Sequence, residues 1–200
     1  MVWRAERSQR LQEFVAVKVL NVDAEGFLKR FEARKHALAL MDHPGICPSQ
    51  ACGTSPGGRP CLVSPLQHGV PITQFCDDQK LPLPMRTRLF IQACEIIHHA
   101  HQRGVVHGGI KPANLLVSWG EDAQPVLHIT DFGVAAALNH ACAASDSGRW
   151  RAPPAYFAPE HTVGGTIDAR TDVHALGTLL HELVTGRLPF DVPEGAEGEE

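Results

Sequence analysis

The spacing of apolar residues in the first third of the chain changes from a strand pattern to a helix pattern. Phe14 to Leu20 is a β-branched run of alternating character, which predicts a strand. From Ala24 to Met41 the apolar residues recur at helical spacing, and Asp42 to Gly45 predicts the end of that helix. Residues 53–60 are rich in Gly, Ser and Pro and predict a hairpin turn before a second short strand, Pro60 to Pro65.

The remainder of the chain is mainly helical in its pattern. Met85 to Arg103 predicts one amphipathic helix, and Thr171 to Thr185 predicts another that ends at Gly186. Two short β-like runs lie between these helices, Asn114 to Val117 and Val126 to Ile129. The pattern therefore predicts an α+β fold with a small β-rich lobe over about 1–66 and a larger, mainly helical lobe over about 67–190.

Composition and charge exclude several classes of protein. The 200 residues are 44% apolar and 20% charged, which is typical of a globular domain and not of a disordered chain. The net charge of −4, with no basic stripe, argues against nucleic acid or an anionic membrane as a partner. Residues 191–200 contain Pro, Gly and Glu with no apolar period, and we expect an acidic, disordered tail there.

The cysteines and the N-terminus indicate a reducing compartment. The six cysteines include no CxxC pair and no zinc-finger spacing, and a chain of this size needs no disulfide bonds to build a core. The N-terminal residues have no apolar run typical of a signal peptide, and no stretch approaches 18 uninterrupted apolar residues. We therefore expect a cytoplasmic protein.

Four motifs occur in the order found in one enzyme family. They are Val15-Ala-Val-Lys18, the loop from His107 to Asn114, Asp131-Phe-Gly133 and Ala158-Pro-Glu160. With these four motifs in this order, the chain resembles the bacterial-type, eukaryotic-like serine/threonine protein kinases over almost its whole length. The resemblance implies a two-lobed kinase-like fold that is truncated at both ends, and it implies ATP and Mg²⁺ as ligands.

The resemblance also implies a role for individual residues. Lys18 would neutralise phosphate oxygens of ATP, and Lys111 would reach the terminal phosphate. Asn114 and Asp131 would hold Mg²⁺ through oxygen atoms. Pro65 and Gln67 would bind adenine through backbone atoms. Ala16 and Leu116 would make apolar contacts with the adenine ring.

Several positions depart from the family pattern. His107 is retained, but Gly108 and Gly109 replace the Arg and the catalytic Asp, and glycine cannot take a proton from a substrate hydroxyl. Arg34 falls where the family has the glutamate that pairs with the lysine, and we expect Arg34 on the inward helix face with Glu32 turned to solvent. The sequence begins at the strand that follows the glycine-rich loop, so we expect no GxGxxG cover over the phosphates.

These departures favour a pseudokinase that has lost phosphotransfer and acts by binding, with a regulatory or scaffold role. One alternative is a slow serine/threonine kinase in which Asp131 replaces the lost base. Another is a remnant of a truncated kinase gene with no function of its own. We also expect exposed apolar surface over the face from Ala175 to Leu183, and with it a protein partner or self-association.

Overall fold

A computed structural model describes residues 2–7, 13–47, 49–135, 137–138, 155–162 and 164–190. Up to residue 65, the described part of the chain contains four strands and one long helix. In chain order these are β1 (Val2–Arg7), β2 (Glu13–Val19), α1 (Ala24–Ala39), β3 (Ala51–Thr54) and β4 (Pro60–Pro65).

The four strands form one antiparallel sheet with the order β1-β2-β4-β3. In its register Val2 lies opposite Lys18, and Ala16 lies opposite Ser64. Helix α1 begins at the N-cap residue Asp23, whose carboxylate accepts a hydrogen bond from the backbone N–H of Gly26 at 2.8 Å. The helix then contacts β3 and β4 and contributes to the core below the sheet.

The second part of the chain is built on helices and a smaller sheet. Its elements are β5 (Val70–Pro71), α2 (Ile72–Asp78), α3 (Leu83–His101), a 3₁₀ turn (Pro112–Asn114), β6 (Leu115–Trp119), β7 (Pro125–Ile129), α4 (Pro159–Thr162) and α5 (Ala169–Thr185). Strands β5, β6 and β7 form a three-stranded antiparallel sheet, and α3 packs against both α5 and β7.

Helix α5 has well-defined ends because its sequence supplies both caps. At the N-terminus Asp168 and Thr171 form a reciprocal capping box. At the C-terminus Gly186 adopts the left-handed conformation, with φ of 71°, and its N–H donates to the carbonyl of Glu182. The predicted helix over 171–185 is therefore confirmed, with two more residues at its start.

Backbone hydrogen bonds connect the segment between α1 and β3 to strand β7 of the second sheet. The N–H of Ile129 in β7 donates to the carbonyl of Gly45 at 2.8 Å, and the N–H of Cys47 donates to the carbonyl of Ile129 at 2.9 Å. These bonds flank a parallel bridge between Ile46 and Ile129. The segment after α1 is thereby fixed to the edge of the helical part, and the chain crosses a second time at residues 66–69.

The predicted α+β, two-lobed architecture is confirmed. The lobe boundary at residues 66 and 67 stays a prediction, and the predicted acidic tail at 191–200 lies outside the described residues. One expectation is wrong, because the face from Ala175 to Leu183 is buried against α3. The exposed apolar residues of α5 are Val173 and Val184, which are 63% and 49% exposed.

None of the described helices combines the length and the apolar character that crossing a bilayer demands.

Candidate functional site

A cavity of about 680 Å³ lies between the four-stranded sheet and the loops that precede β6 and follow β7. It gathers the residues that the kinase resemblance singled out, from both parts of the chain. Its lining includes Ala16, Lys18, Pro65, Gln67, Lys111, Asn114, Leu116 and Asp131. The binding roles predicted for these residues stay predictions, but their convergence on one cavity is what those roles require.

An ion pair crosses this cavity. The Nζ atom of Lys18 on β2 lies 2.6 Å from Oδ2 of Asp131, which follows β7. Both side chains are partly accessible, at 29% and 18% of their surface. Asp131 has a φ of +66°, a left-handed conformation that is uncommon for a residue with a Cβ. A strained backbone therefore presents this carboxylate to the lysine.

Asn114 ends the 3₁₀ turn and is buried at the base of the cavity. Its amide Nδ2 donates to the backbone carbonyl of Gly109 at 2.9 Å. That bond orients the amide and leaves its Oδ1 atom as an oxygen donor toward the cavity. Together, Asn114 and Asp131 present a neutral and an anionic oxygen, which is the donor chemistry that Mg²⁺ prefers. Among the described residues no group of three or more His, Cys, Asp or Glu side chains could hold a metal ion.

The end of the cavity at which the resemblance places adenine is formed by β4 and the segment after it. Pro65 and Gln67 lie there, and Ala16 on β2 and Leu116 on β6 also line the cavity. Val2 also lines the cavity, a position that the sequence reasoning missed. The signal for it was available, because the antiparallel register places Val2 opposite Lys18 and so on the same sheet face as Lys18 and Ala16.

The loop from His107 to Gly109 contains no carboxylate. His107 is buried, and burial holds the pKa of its imidazole below the ordinary value. Its Nε2 bonds to the carbonyl of Thr130 at 2.9 Å, and its Nδ1 accepts from the N–H of Gly109 at 3.1 Å. Because both ring nitrogens are occupied, His107 cannot take the proton of a substrate hydroxyl.

Gly108 occupies a backbone position that suits glycine. Its φ is +72°, in the left-handed region where a side chain costs about 1 kcal/mol. The carbonyl of Gly108 bonds to Nε2 of His161 at 2.8 Å, while Nδ1 of His161 accepts from the N–H of Ala158 at 3.1 Å. His161 is buried and belongs to none of the four motifs, and the sequence reasoning missed it. Its bond to Gly108 attaches the loop to α4, and its bond from Ala158 holds the imidazole at the start of that helix.

Asp172 is a third residue that the sequence analysis did not assign. It lies in the first turn of α5 and is completely buried. Its carboxylate accepts from the backbone N–H groups of His107 and Gly108, at 2.9 and 2.7 Å, and it lies 2.7 Å from Nε2 of His101. Three elements are therefore held by one buried carboxylate, which fixes the conformation of the loop.

Glu160, at the end of the fourth motif, has a local partner. The hydroxyl of Thr171 in the α5 capping box donates to its carboxylate. This hydrogen bond is the main reason that the pKa of Glu160 lies below its ordinary value. Thr171 is buried, and it thereby ties α4 to the start of α5.

The position predicted to lack the usual glutamate lies in the second half of α1. Arg34 falls between Phe31 and Leu38 in the helix, and both of those side chains are buried. The side chain of Arg34 itself lies outside the described residues. Glu32 is exposed, as predicted, and its Oε1 lies 2.9 Å from Sγ of Cys52 on β3. Lys18 is paired with Asp131 and not with a carboxylate of α1.

The chain was then compared with known proteins. Residues 2–199 match the protein kinase domain family. The chain is 35% identical over 193 residues to the DNA damage-responsive serine/threonine-protein kinase RqkA of Deinococcus radiodurans, covering 94% of this chain and 28% of the relative. It is 31% identical over 191 residues to the serine/threonine-protein kinase PknB of Mycobacterium leprae, covering 92% of this chain and 30% of the relative.

A solved structure shows the same architecture. The crystal structure of the Mycobacterium tuberculosis PknI kinase domain matches with a TM-score of 0.71 and 26% sequence identity. The match covers 95% of this chain and 71% of that domain. The chain therefore spans less than a third of the two relatives above and less than three quarters of a solved domain of the same fold.

Proposed function

Because the chain belongs to the protein kinase family, and resembles its bacterial serine/threonine members, we propose that it is a cytoplasmic pseudokinase that binds an adenine nucleotide and has lost phosphotransfer. A regulatory or scaffold role through a protein partner follows from that proposal. The observation that supports it best is the loop from His107 to Gly109, which has no side chain able to accept a proton.

Phosphoryl transfer needs three contributions from the protein: placement of the phosphate, neutralisation of its charge, and a base for the attacking hydroxyl. Gly109 supplies no base, and both nitrogens of His107 and of His161 are already hydrogen-bonded. Asp131 is the remaining carboxylate of the cavity, and it is the counter-ion of Lys18. This pairing argues against the slow kinase in which Asp131 acts as base.

The nucleotide-binding part of the proposal is supported by the cavity. Pro65 and Gln67 would bind adenine through backbone atoms, and Val2, Ala16 and Leu116 would enclose the ring. Lys18 and Lys111 would contact phosphate oxygens. Mg²⁺, when bound, would neutralise phosphate charge, and Asn114 and Asp131 would hold it through Oδ1 and a carboxylate oxygen.

The remnant hypothesis predicts a poorly folded chain. Against it stand the paired caps of α5, the buried carboxylate of Asp172 with its three partners, and a continuous apolar core across both parts of the chain. These features support a chain that folds around a specific loop geometry.

A radiolabelled phosphotransfer assay tests the catalytic half. Loss of a general base costs about 10²–10⁴ in rate, and typical kinases turn over at about 1–100 s⁻¹. Loss of the base alone would thus leave roughly 10⁻⁴ to 1 s⁻¹. Because Lys18 is also paired with Asp131 in place of the glutamate of the family pattern, we expect no transfer to serine or threonine above background. Phosphate incorporation that disappears in the Asp131→Ala variant would show that the chain is an active kinase.

A thermal shift assay tests the binding half. Nucleotide at ten times its Kd should stabilise the fold by about 1.4 kcal/mol, which for a chain of this size raises Tm by roughly 3–6 °C. If no adenine compound moves the melting curve, the binding proposal is wrong.

Gly109→Asp should leave the phosphotransfer assay at background, because the restored carboxylate does not restore a glutamate partner for Lys18.

A further inference from the structure

The ion pair between Lys18 and Asp131 bears on which ligand the cavity selects. The inference drawn from this ion pair rests on the proposed function, since it concerns the same cavity. Lys18 is one of the two cations predicted to contact phosphate, the other being Lys111, and its Nζ already lies 2.6 Å from a carboxylate oxygen. That distance is typical of a charge-assisted hydrogen bond. A phosphate that enters the cavity must therefore either share Lys18 with Asp131 or displace the carboxylate.

We propose that, in the absence of Mg²⁺, Asp131 competes with ligand phosphates for Lys18, so that the cavity binds the adenosine part of a ligand and the phosphates of a nucleotide add little to the affinity. Two effects act in the same direction. Asp131 already neutralises the charge of Lys18, and its carboxylate lies beside an entering phosphate as a like charge in a partly buried site, whether it shares Lys18 or is displaced. The adenine end is free of this competition.

The apolar end of the cavity is complete without any charge. Val2, Ala16 and Leu116 present aliphatic groups, and the backbone at Pro65 and Gln67 presents the polar atoms. A neutral nucleoside can be bound by these residues with the ion pair left intact. A nucleotide can be bound as well, but a phosphate placed at Lys18 must share the lysine with Asp131 or break the ion pair.

The geometry of Asp131 makes the idea testable with one substitution. Asp131 has a φ of +66°, and asparagine is among the few residues with a Cβ that adopt this conformation readily. Asp131→Asn therefore keeps the shape and the backbone of the residue and removes only its negative charge. Lys18 then loses its counter-ion and becomes available to a phosphate.

The experiment is calorimetric titration of the full chain with adenosine, ADP and ATP in the presence of EDTA. For the wild-type protein we expect the three Kd values to agree within about threefold, or ATP to be the weakest ligand. For Asp131→Asn we expect ATP to bind about tenfold tighter than it binds the wild type, with the Kd of adenosine unchanged. The matched control is Asp122→Asn, an exposed aspartate in the turn between β6 and β7, which should leave all three values unchanged.

Other results have distinct meanings. If ATP in EDTA binds the wild type tenfold or more tightly than adenosine, phosphate does not compete with Asp131 and the inference is wrong, although the proposed function stands. If Asp131→Asn folds, as judged by its circular dichroism spectrum, and leaves the ATP affinity unchanged, the inference is also wrong. If neither adenosine nor ATP binds the wild type, with or without Mg²⁺, the binding half of the proposed function fails.

Discussion

Replacement of Asp172 by alanine should destabilise the whole fold, because three groups depend on one buried carboxylate. The variant removes the acceptor of the His107 and Gly108 N–H groups and the partner of His101. Neither loop N–H can turn to water without moving α5, since His107, Gly108 and Asp172 are all buried. Each buried donor left without an acceptor costs about 1–3 kcal/mol, so the two loop N–H groups together make the loss about 3–5 kcal/mol.

For a chain of 200 residues, that loss should lower Tm by roughly 6–20 °C. Urea denaturation followed by circular dichroism measures the free energy of unfolding directly. Asp172→Asn should cost less than Asp172→Ala, because its amide oxygen still accepts hydrogen bonds from the loop. The control is Asp78→Ala at the exposed end of α2, for which we expect less than about 0.5 kcal/mol.

The reasoning would be refuted by an Asp172→Ala variant that matches Asp78→Ala in its free energy of unfolding. It would also be refuted if the loss were large but amide exchange at His107 and Gly108 stayed as slow as in the wild type. In that case, the carboxylate would stabilise α5 without holding the loop.

Two further predictions concern a histidine and a pair of glycines. Burial lowers the pKa of His107 in the folded chain, so the unfolded chain takes up the proton first as the pH falls below about 6.5. The free energy of unfolding should be constant just above that pH and should decrease as the pH falls below it. The decrease should be less steep for His107→Gln, whereas His68→Gln, a control at an exposed position, should show the wild-type slope. Gly186→Ala should lower the free energy of unfolding by about 1 kcal/mol, because φ is 71° at that cap. Gly177→Ala in the same helix should raise it by up to about 1 kcal/mol, since a Cβ there meets nothing within 4 Å. Urea denaturation measures the change in the free energy of unfolding for both variants. Changes of the same sign for the two glycines would contradict the argument.

The elements of the fold could be predicted from the sequence where one period and a clear end signal coincide. The helix ending at Gly186 is such a case, because the glycine supplies a conformation that other residues adopt at a cost. The burial of the Ala175–Leu183 face was predicted wrongly for an equally physical reason. Periodicity identifies an apolar face but not its neighbour, and here the neighbour is α3 within the same chain.

The motifs likewise identified the cavity residues but not their contacts. That Lys18 and Asp131 approach to 2.6 Å depends on how the two sheets are held together, over 113 residues of separation. Asp172 and His161 form their bonds across 64 and 53 residues, and their roles follow from burial and direction of the side chain. No local pattern carries that information, whereas the register of β1 against β2 would have revealed Val2.

The backbone bonds at Ile129 determine how the cavity can open. The two parts of the chain are attached at Ile129 to Gly45 and Cys47, and again where the chain crosses at residues 66–69. Rotation of one part against the other must leave both attachments in place, so its axis passes through them. Lys18 and Asp131 add a side-chain contact between the same two parts of the chain, two residues after Ile129. A hinge rotation that separates the two parts must therefore break this ion pair, and such rotations take place on the microsecond to millisecond scale.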